Sequence, residues 1–172
     1  MQTSASLCIE YCIKINKPYN YLSPFTFTSL EMALSLDSLK QIPVSYASCS
    51  IGCKDEHTLP KKLEAIAAAG FQAIELSMPD LLSFASMHLR HEVGPKDWDD
   101  LYTAAKVIKA MCDAKNLNIL ILQPFSNFEG WAEGSDERKD AFERARGWIK
   151  IMQAAGTDML QVYLTNMVRL KA

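Results

Sequence analysis

One nine-residue pattern occurs twice in this chain, and it narrows the available folds more than any other feature. Ala68-Ala69-Gly70-Phe71-Gln72-Ala73-Ile74-Glu75-Leu76 aligns with Ala154-Ala155-Gly156-Thr157-Asp158-Met159-Leu160-Gln161-Val162, as A-A-G-x3-aliphatic-Glu/Gln-aliphatic. A weaker copy starts near Ala114, with Asn116 in the glycine position. In each copy a helix closes on a residue that tolerates left-handed backbone, and a strand begins three residues later. Repeated turns of this kind imply consecutive β-α-β units. Crossovers between parallel strands are right-handed in nearly all cases, so such units place their helices on one side of the sheet.

The rest of the chain can be divided around these turns. Ile42 to Ile51 is rich in β-formers and predicts a first strand. Thr58 is placed as the cap of a helix in which Leu59, Leu63, Ile66 and Ala67 recur at helical spacing and Gly70 closes the run. Ala73 to Met78 predicts the second strand, with Pro79 as its stop, and Leu81 to Val93 a loop with a short helix. A long helix is expected from Trp98 to Lys115, and a strand buried on both faces from Leu117 to Gln123. The last helix runs from Asp136 to Ala155 with Phe142, Ala145, Ile149 and Met152 inward, and the fourth strand from Met159 to Leu164. Residues 1–39 show no sustained period and are read as an irregular N-terminal extension; residues 40–172 carry the repeated units.

Charge and cysteine content remove several function classes. Lys and Arg total 18 against 20 Asp and Glu, a net charge of −2, so no basic excess favours nucleic acid. No apolar run approaches the ~18 residues of a membrane span. Glu10 and Lys14 interrupt the N-terminal apolar stretch, which disfavours a signal peptide. The five cysteines then read as reduced thiols, and the expected location is cytoplasmic. Cys8, Cys12, Cys49 and Cys53 form two C-x3-C pairs, but they sit in apolar or strand surroundings rather than in tight metal-binding turns. His88 and His91 are spaced to share a metal on a helix, although no third ligand is apparent.

Strand alternation selects the candidate site. If Ile74, Leu76, Leu160 and Val162 face the helices, then Glu75, Ser77, Gln123, Gln161 and Tyr163 face the other way. A carboxylate and two amides on one inner face are costly unless they meet water, a polar ligand or one another. The loop Gln123-Pro124-Phe125-Ser126-Asn127-Phe128-Glu129-Gly130-Trp131 adds aromatics with Asn and Glu, suited to covering a small hydroxylated molecule. Glu75, Gln123, Asn127, Glu129 and Gln161 are therefore the expected substrate-binding residues. No catalytic residue and no metal ligand is assigned.

Four segments carry a family resemblance: Ser48-Cys49-Ser50-Ile51-Gly52, Gly70 to Leu76, Gln123-Pro124-Phe125 and Gly156 to Val162. Over residues 41–166 the chain resembles the xylose isomerase-like TIM barrels, a group that includes sugar phosphate isomerases and epimerases, and most of all the 3-dehydroshikimate dehydratase-like branch. The resemblance implies an α/β fold, a partial (β/α)8 barrel of four parallel strands with helices on one face. It implies a sugar or shikimate-pathway-like small-molecule substrate. It also implies a divalent metal in full-length members, held mostly by residues of the later strands; none of these ligands can be carried over to this chain, so no tightly held metal is expected.

A complete barrel takes about 250 residues. The expectation is thus the N-terminal half of a barrel, inactive alone, with open sheet edges through which it forms a homodimer or pairs with a C-terminal half. An alternative is a small open α/β binding domain with helices on both faces.

Overall fold

The computed structural model describes residues 10–14, 37, 41–52, 54–128 and 130–163. Five strands form one sheet: β1 (Glu10–Lys14), β2 (Ser45–Ala47), β3 (Ala73–Ser77), β4 (Asn118–Gln123) and β5 (Met159–Tyr163). Their spatial order is β1-β5-β4-β3-β2. The pairs β2–β3, β3–β4 and β4–β5 are all parallel. Sequential parallel strands are thus spatial neighbours, as in a barrel wall. The connections carry α1 (Leu59–Ala68), then α2 (Met78–Leu89) and α3 (Trp98–Asp113), then α4 (Asp136–Ala155).

All four helices bury their apolar stripes against the same face of the sheet. Leu59, Leu63 and Ile66 of α1, Leu81 and Phe84 of α2, Leu101 and Ile108 of α3, and Trp148 and Ile151 of α4 form one core. Ile74, Leu76, Leu122, Leu160 and Val162 of the strands join it, as the alternation predicts. Each such side chain, once buried, stabilises by roughly 1.5–3 kcal/mol. Helices on one side only, among the described residues, leave no place for the open sheet with helices on both faces. The fold is α/β, four parallel strands with helices, consistent with part of a TIM barrel.

The repeated turn is built as the sequence implies. Gly156 caps α4 at φ 71° and Gly70 follows α1 at φ 86°. Asn116 occupies the same role after α3 at φ 56°. Only residues that tolerate left-handed backbone fit these positions.

Several local expectations are corrected. Strand one spans only Ser45–Ala47, because Ser48–Ser50 turn in a 3-10 helix. That turn is fixed by Ser48, whose buried Oγ accepts the Ser77 N–H at 3.1 Å. Pro79 does not merely stop β3. It opens α2, a twelve-residue helix that starts before and runs longer than the short helix expected within the Leu81 to Val93 loop, with Ser77 as N-cap accepting the Asp80 N–H. Proline fits a first helical turn, where its missing N–H has no partner to lose. The inward face of α4 is Ala141, Trp148, Ile151, Met152 and Ala155. Phe142, expected inside, is 45% exposed. Trp148 and Ile151 take the core, and the stripe rotates accordingly. Within the N-terminal region read as irregular, Glu10–Lys14 pairs antiparallel with β5 and borders that edge of the sheet.

Candidate functional site

The face of the sheet away from the helices carries the polar residues. Parallel registration places Ala47 beside Glu75, Glu75 beside Ile121, and Ser77 beside Gln123. Leu122 pairs with Leu160, so the next residues, Gln123 and Gln161, are neighbours on the opposite face. A register shift at Ile74/Glu75 accommodates one extra β4 residue and leaves Leu120 42% exposed. After this bulge the β4 side chains come back into phase with β3. Ile121 is buried but lies outside the helix-facing core, consistent with its place beside Glu75.

Both oxygens of Glu75 are engaged. Ser45 Oγ donates to Oε1 at 3.0 Å, and Gln123 Nε2 donates to Oε2 at 2.6 Å. Since the amide nitrogen of Gln123 points to the carboxylate, its oxygen points away. That oxygen is buried and has no donor among the described residues. Gln161 Oε1 is in the same condition. The two side chains are 5% and 4% exposed, so solvent does not compensate. An unsatisfied buried acceptor costs about 1–3 kcal/mol. Among the described residues two such acceptors lie side by side, and hydroxyl or N–H donors would offset the cost.

Of the five expected site residues, Glu75 and Gln123 are in direct contact and Gln161 is next to them in register. Asn127 is not joined to them by any hydrogen bond of the described residues. Its side chain is exposed, and its carbonyl accepts from Arg144 Nη2 at 3.0 Å. Glu129 lies outside the described residues.

The loop after β4 is held from beneath by Arg144 of α4. The guanidinium donates to Ser126 Oγ at 2.8 Å, to the Asn127 carbonyl and to Asp140 Oδ2, and it lies over the Trp148 ring at 5.1 Å. Phe125 adopts φ 52°, an unusual conformation for a bulky residue. Beyond it, Phe128, Gly130, Trp131, Arg138 and Phe142 line a cleft of about 320 Å³. Phe128 and Phe142 meet edge to face at 5.8 Å.

A second polar cluster links the ends of β2 and β3 to the helices. Lys62 Nζ donates to Asp80 Oδ1 at 2.7 Å and to the Ser48 carbonyl at 3.1 Å. Ser77 Oγ donates to Asp80 Oδ2 at 2.8 Å. This cluster was missed from sequence, although two signals exist. Lys62 shares the apolar stripe of Leu59 and Ile66, and Ser77-x-x-Asp80 has capping-box spacing. Arg144 and Arg138 gave no comparable local signal.

The remaining candidates are placed elsewhere. His88 stacks on Phe84 at 5.5 Å, while His91 Nε2 meets Asp100 Oδ2 at 2.8 Å. The Asp100 hydrogen bond raises the His91 pKa above the usual 6.5. Cys49 is exposed, and Cys112 is a buried thiol whose desolvation pushes its pKa to about 12. Cys8, Cys53 and the side chain of Cys12 lie outside the described residues. No three His, Cys, Asp or Glu side chains gather among the described residues. With both Glu75 oxygens already bonded, these residues do not form a site for the divalent metal that the resemblance implies. No helix of the described residues is long and apolar enough to cross a membrane.

The chain is similar to 3-dehydroshikimate dehydratases. It is 37% identical to that of Pseudomonas aeruginosa over 105 residues, which cover 61% of this chain and 14% of the relative. It is 30% identical to that of Neurospora crassa over 123 residues, covering 69% and 34%. The chain thus spans well under half of the length of these curated relatives. Among solved structures, a xylose isomerase-like TIM barrel/4-hydroxyphenylpyruvate dioxygenase fusion protein is 33% identical, with a TM-score of 0.45 over 66% of this chain and 14% of that one. The sequence profile of the xylose isomerase-like TIM barrels matches residues 63–168, from the middle of α1 past the end of β5. More than half of the chain lies in that match, and it belongs to the xylose isomerase-like TIM barrel family.

Proposed function

We propose that this chain provides the substrate-binding wall of a dehydratase acting on a small hydroxylated cyclic keto acid such as 3-dehydroshikimate. The observation that carries this reading is the pair of buried amide oxygens of Gln123 and Gln161, without donors among the described residues and adjacent to Glu75. Hydroxyl groups are donors of the right size to complete both. Glu75 orients the Gln123 amide and so fixes which end the ligand meets. The name shared by the relatives favours a dehydratase over an isomerase or epimerase.

The described residues supply recognition, and no proton-transfer step is assigned to them. The proposal is accordingly that the chain binds without turning over, and that the metal-dependent chemistry of the family requires residues other than these. Calorimetric titration of 3-dehydroshikimate into the purified chain tests the reading. Binding that weakens about tenfold or more in Gln123→Leu and Gln161→Leu is expected, from the loss of one hydrogen bond each. Absence of binding at millimolar ligand overturns the assignment, and sustained turnover by the chain alone overturns the claim of inactivity.

A second reading has its own observation. β2 pairs on one side only among the described strands, and Ile42 and Val44 beside it are 53% and 49% exposed. An apolar, unpaired edge is suited to pairing with a further strand, from a second copy or another half-barrel. Sedimentation of the chain decides this: a monomer at all concentrations removes the homodimer.

A further inference from the structure

We propose that the cleft lined by Phe128, Gly130, Trp131, Arg138 and Phe142 binds the carboxylate of a ring-bearing small-molecule acid, with Arg138 as its cation. The inference deepens the proposed function and rests on it for the identity of the natural ligand. The cations nearest Arg138 along α4, and Lys96 packed against that helix, are already paired. Lys139 pairs with Asp136, Arg144 with Asp140, and Lys96 with Asp140 and Glu143. Arg138 has no acidic partner among the described residues; its guanidinium lies over the Phe142 ring at 5.8 Å. Cation and ring together form one wall of the cleft. A planar guanidinium with no acidic partner among the described residues is well matched to a carboxylate.

A second donor points to the same chemistry. The indole Nε1 of Trp131 is buried and has no acceptor among the described residues. A carboxylate brings two acceptor oxygens, enough for the guanidinium and the indole N–H. Phe128, Trp131 and Phe142 supply apolar walls for a ring, and a volume of about 320 Å³ is in the range of small-ligand sites. The cleft is also tied to the amide pair. Phe128 follows Gln123 by one short loop, and Arg144 pins that loop at Ser126 and Asn127.

Benzoate is a suitable probe, with benzamide as its uncharged counterpart. In a titration followed by ¹H–¹⁵N correlation spectra, benzoate shifts the Trp131 indole N–H signal and benzamide does not. Arg138→Gln weakens benzoate binding at least tenfold, while Arg138→Lys, which keeps the charge, loses less. No shift with benzoate, equal binding of benzamide, or unchanged binding in Arg138→Gln overturns the assignment. The two proposals fail separately. If 3-dehydroshikimate binds through Gln161 while benzoate does not bind, the carboxylate cleft falls and the functional reading stands. If benzoate binds through Arg138 while 3-dehydroshikimate does not, the cleft stands and the functional reading falls.

Discussion

Gln123 donates its amide nitrogen to Glu75 at 2.6 Å, and this single bond decides which atom of the amide is left for a ligand. The two residues respond differently to replacement. Gln123→Leu removes a buried acceptor that has no donor but also takes the donor from Glu75 Oε2; the two effects oppose each other, for a net loss of about 1 kcal/mol or less. Glu75→Leu leaves the Ser45 hydroxyl and the Gln123 amide N–H without their acceptor, and should cost about 1–3 kcal/mol. Urea denaturation of both variants measures the difference, and equal losses would contradict the assigned orientation of the amide.

Lys62 and Asp80 form an ion pair with side chains only 10% and 13% exposed. The pair connects α1 to the N-terminus of α2 and, through Ser48 and Ser77, to the ends of β2 and β3. Removing one partner strands a buried charge, so Lys62→Met should destabilise by about 3–5 kcal/mol. Replacing both, Lys62→Met with Asp80→Leu, should recover a substantial part of that loss, since burial of a charge pair costs nearly as much as its attraction returns. Thermal melts of the single and double variants provide the comparison.

His91 and Asp100 form an exposed pair that titrates. The hydrogen bond to Asp100 raises the His91 pKa above 6.5, so the folded state holds the proton more tightly than the unfolded chain. The stabilisation is therefore complete below the unfolded value and is lost as pH rises through the raised folded value. An NMR titration of the His91 ring should show a midpoint above 6.5 that returns to the ordinary value in Asp100→Asn. An unchanged midpoint in that variant would mean that the pair does not persist in solution.

The period-two argument placed Glu75, Gln123 and Gln161 on one face correctly because a strand offers only two faces and the aliphatic residues occupy the other. The glycine and asparagine turns were equally readable, since left-handed backbone restricts residue choice. What escaped the sequence depends on partners far along the chain or on a residue with two meanings. Pro79 ends a strand and begins a helix with equal ease, and reading only the first meaning displaced the start of α2, shortened it and concealed the Ser77–Asp80 cap. Phe142 has the spacing of a core residue, yet it stands beside Phe128 because Trp148 fills the interior. Arg138 and Arg144 look alike in sequence. Only the fold shows that one is fully bonded to the loop while the other has no acidic partner among the described residues.

Gly147 faces the ring of Trp98, and this contact sets how closely α4 approaches α3. A Cβ at position 147 would lie 2.3 Å from the Trp98 ring, well inside any permitted separation. Alanine favours a helix interior over glycine by about 1 kcal/mol, so propensity alone predicts that Gly147→Ala stabilises. Overpacking at a closed contact costs about 1–3 kcal/mol, because the ring or the helix must move. The clash is with a rigid indole rather than the end of a flexible chain, and the second effect should prevail, for a net loss of up to about 2 kcal/mol. Adding Trp98→Leu should remove the obstruction and let the helix propensity of alanine emerge, so Gly147→Ala should become neutral or stabilising in that background. A double-mutant cycle by urea denaturation tests the argument, and the same loss in both backgrounds would show that Trp98 is not what Gly147 accommodates.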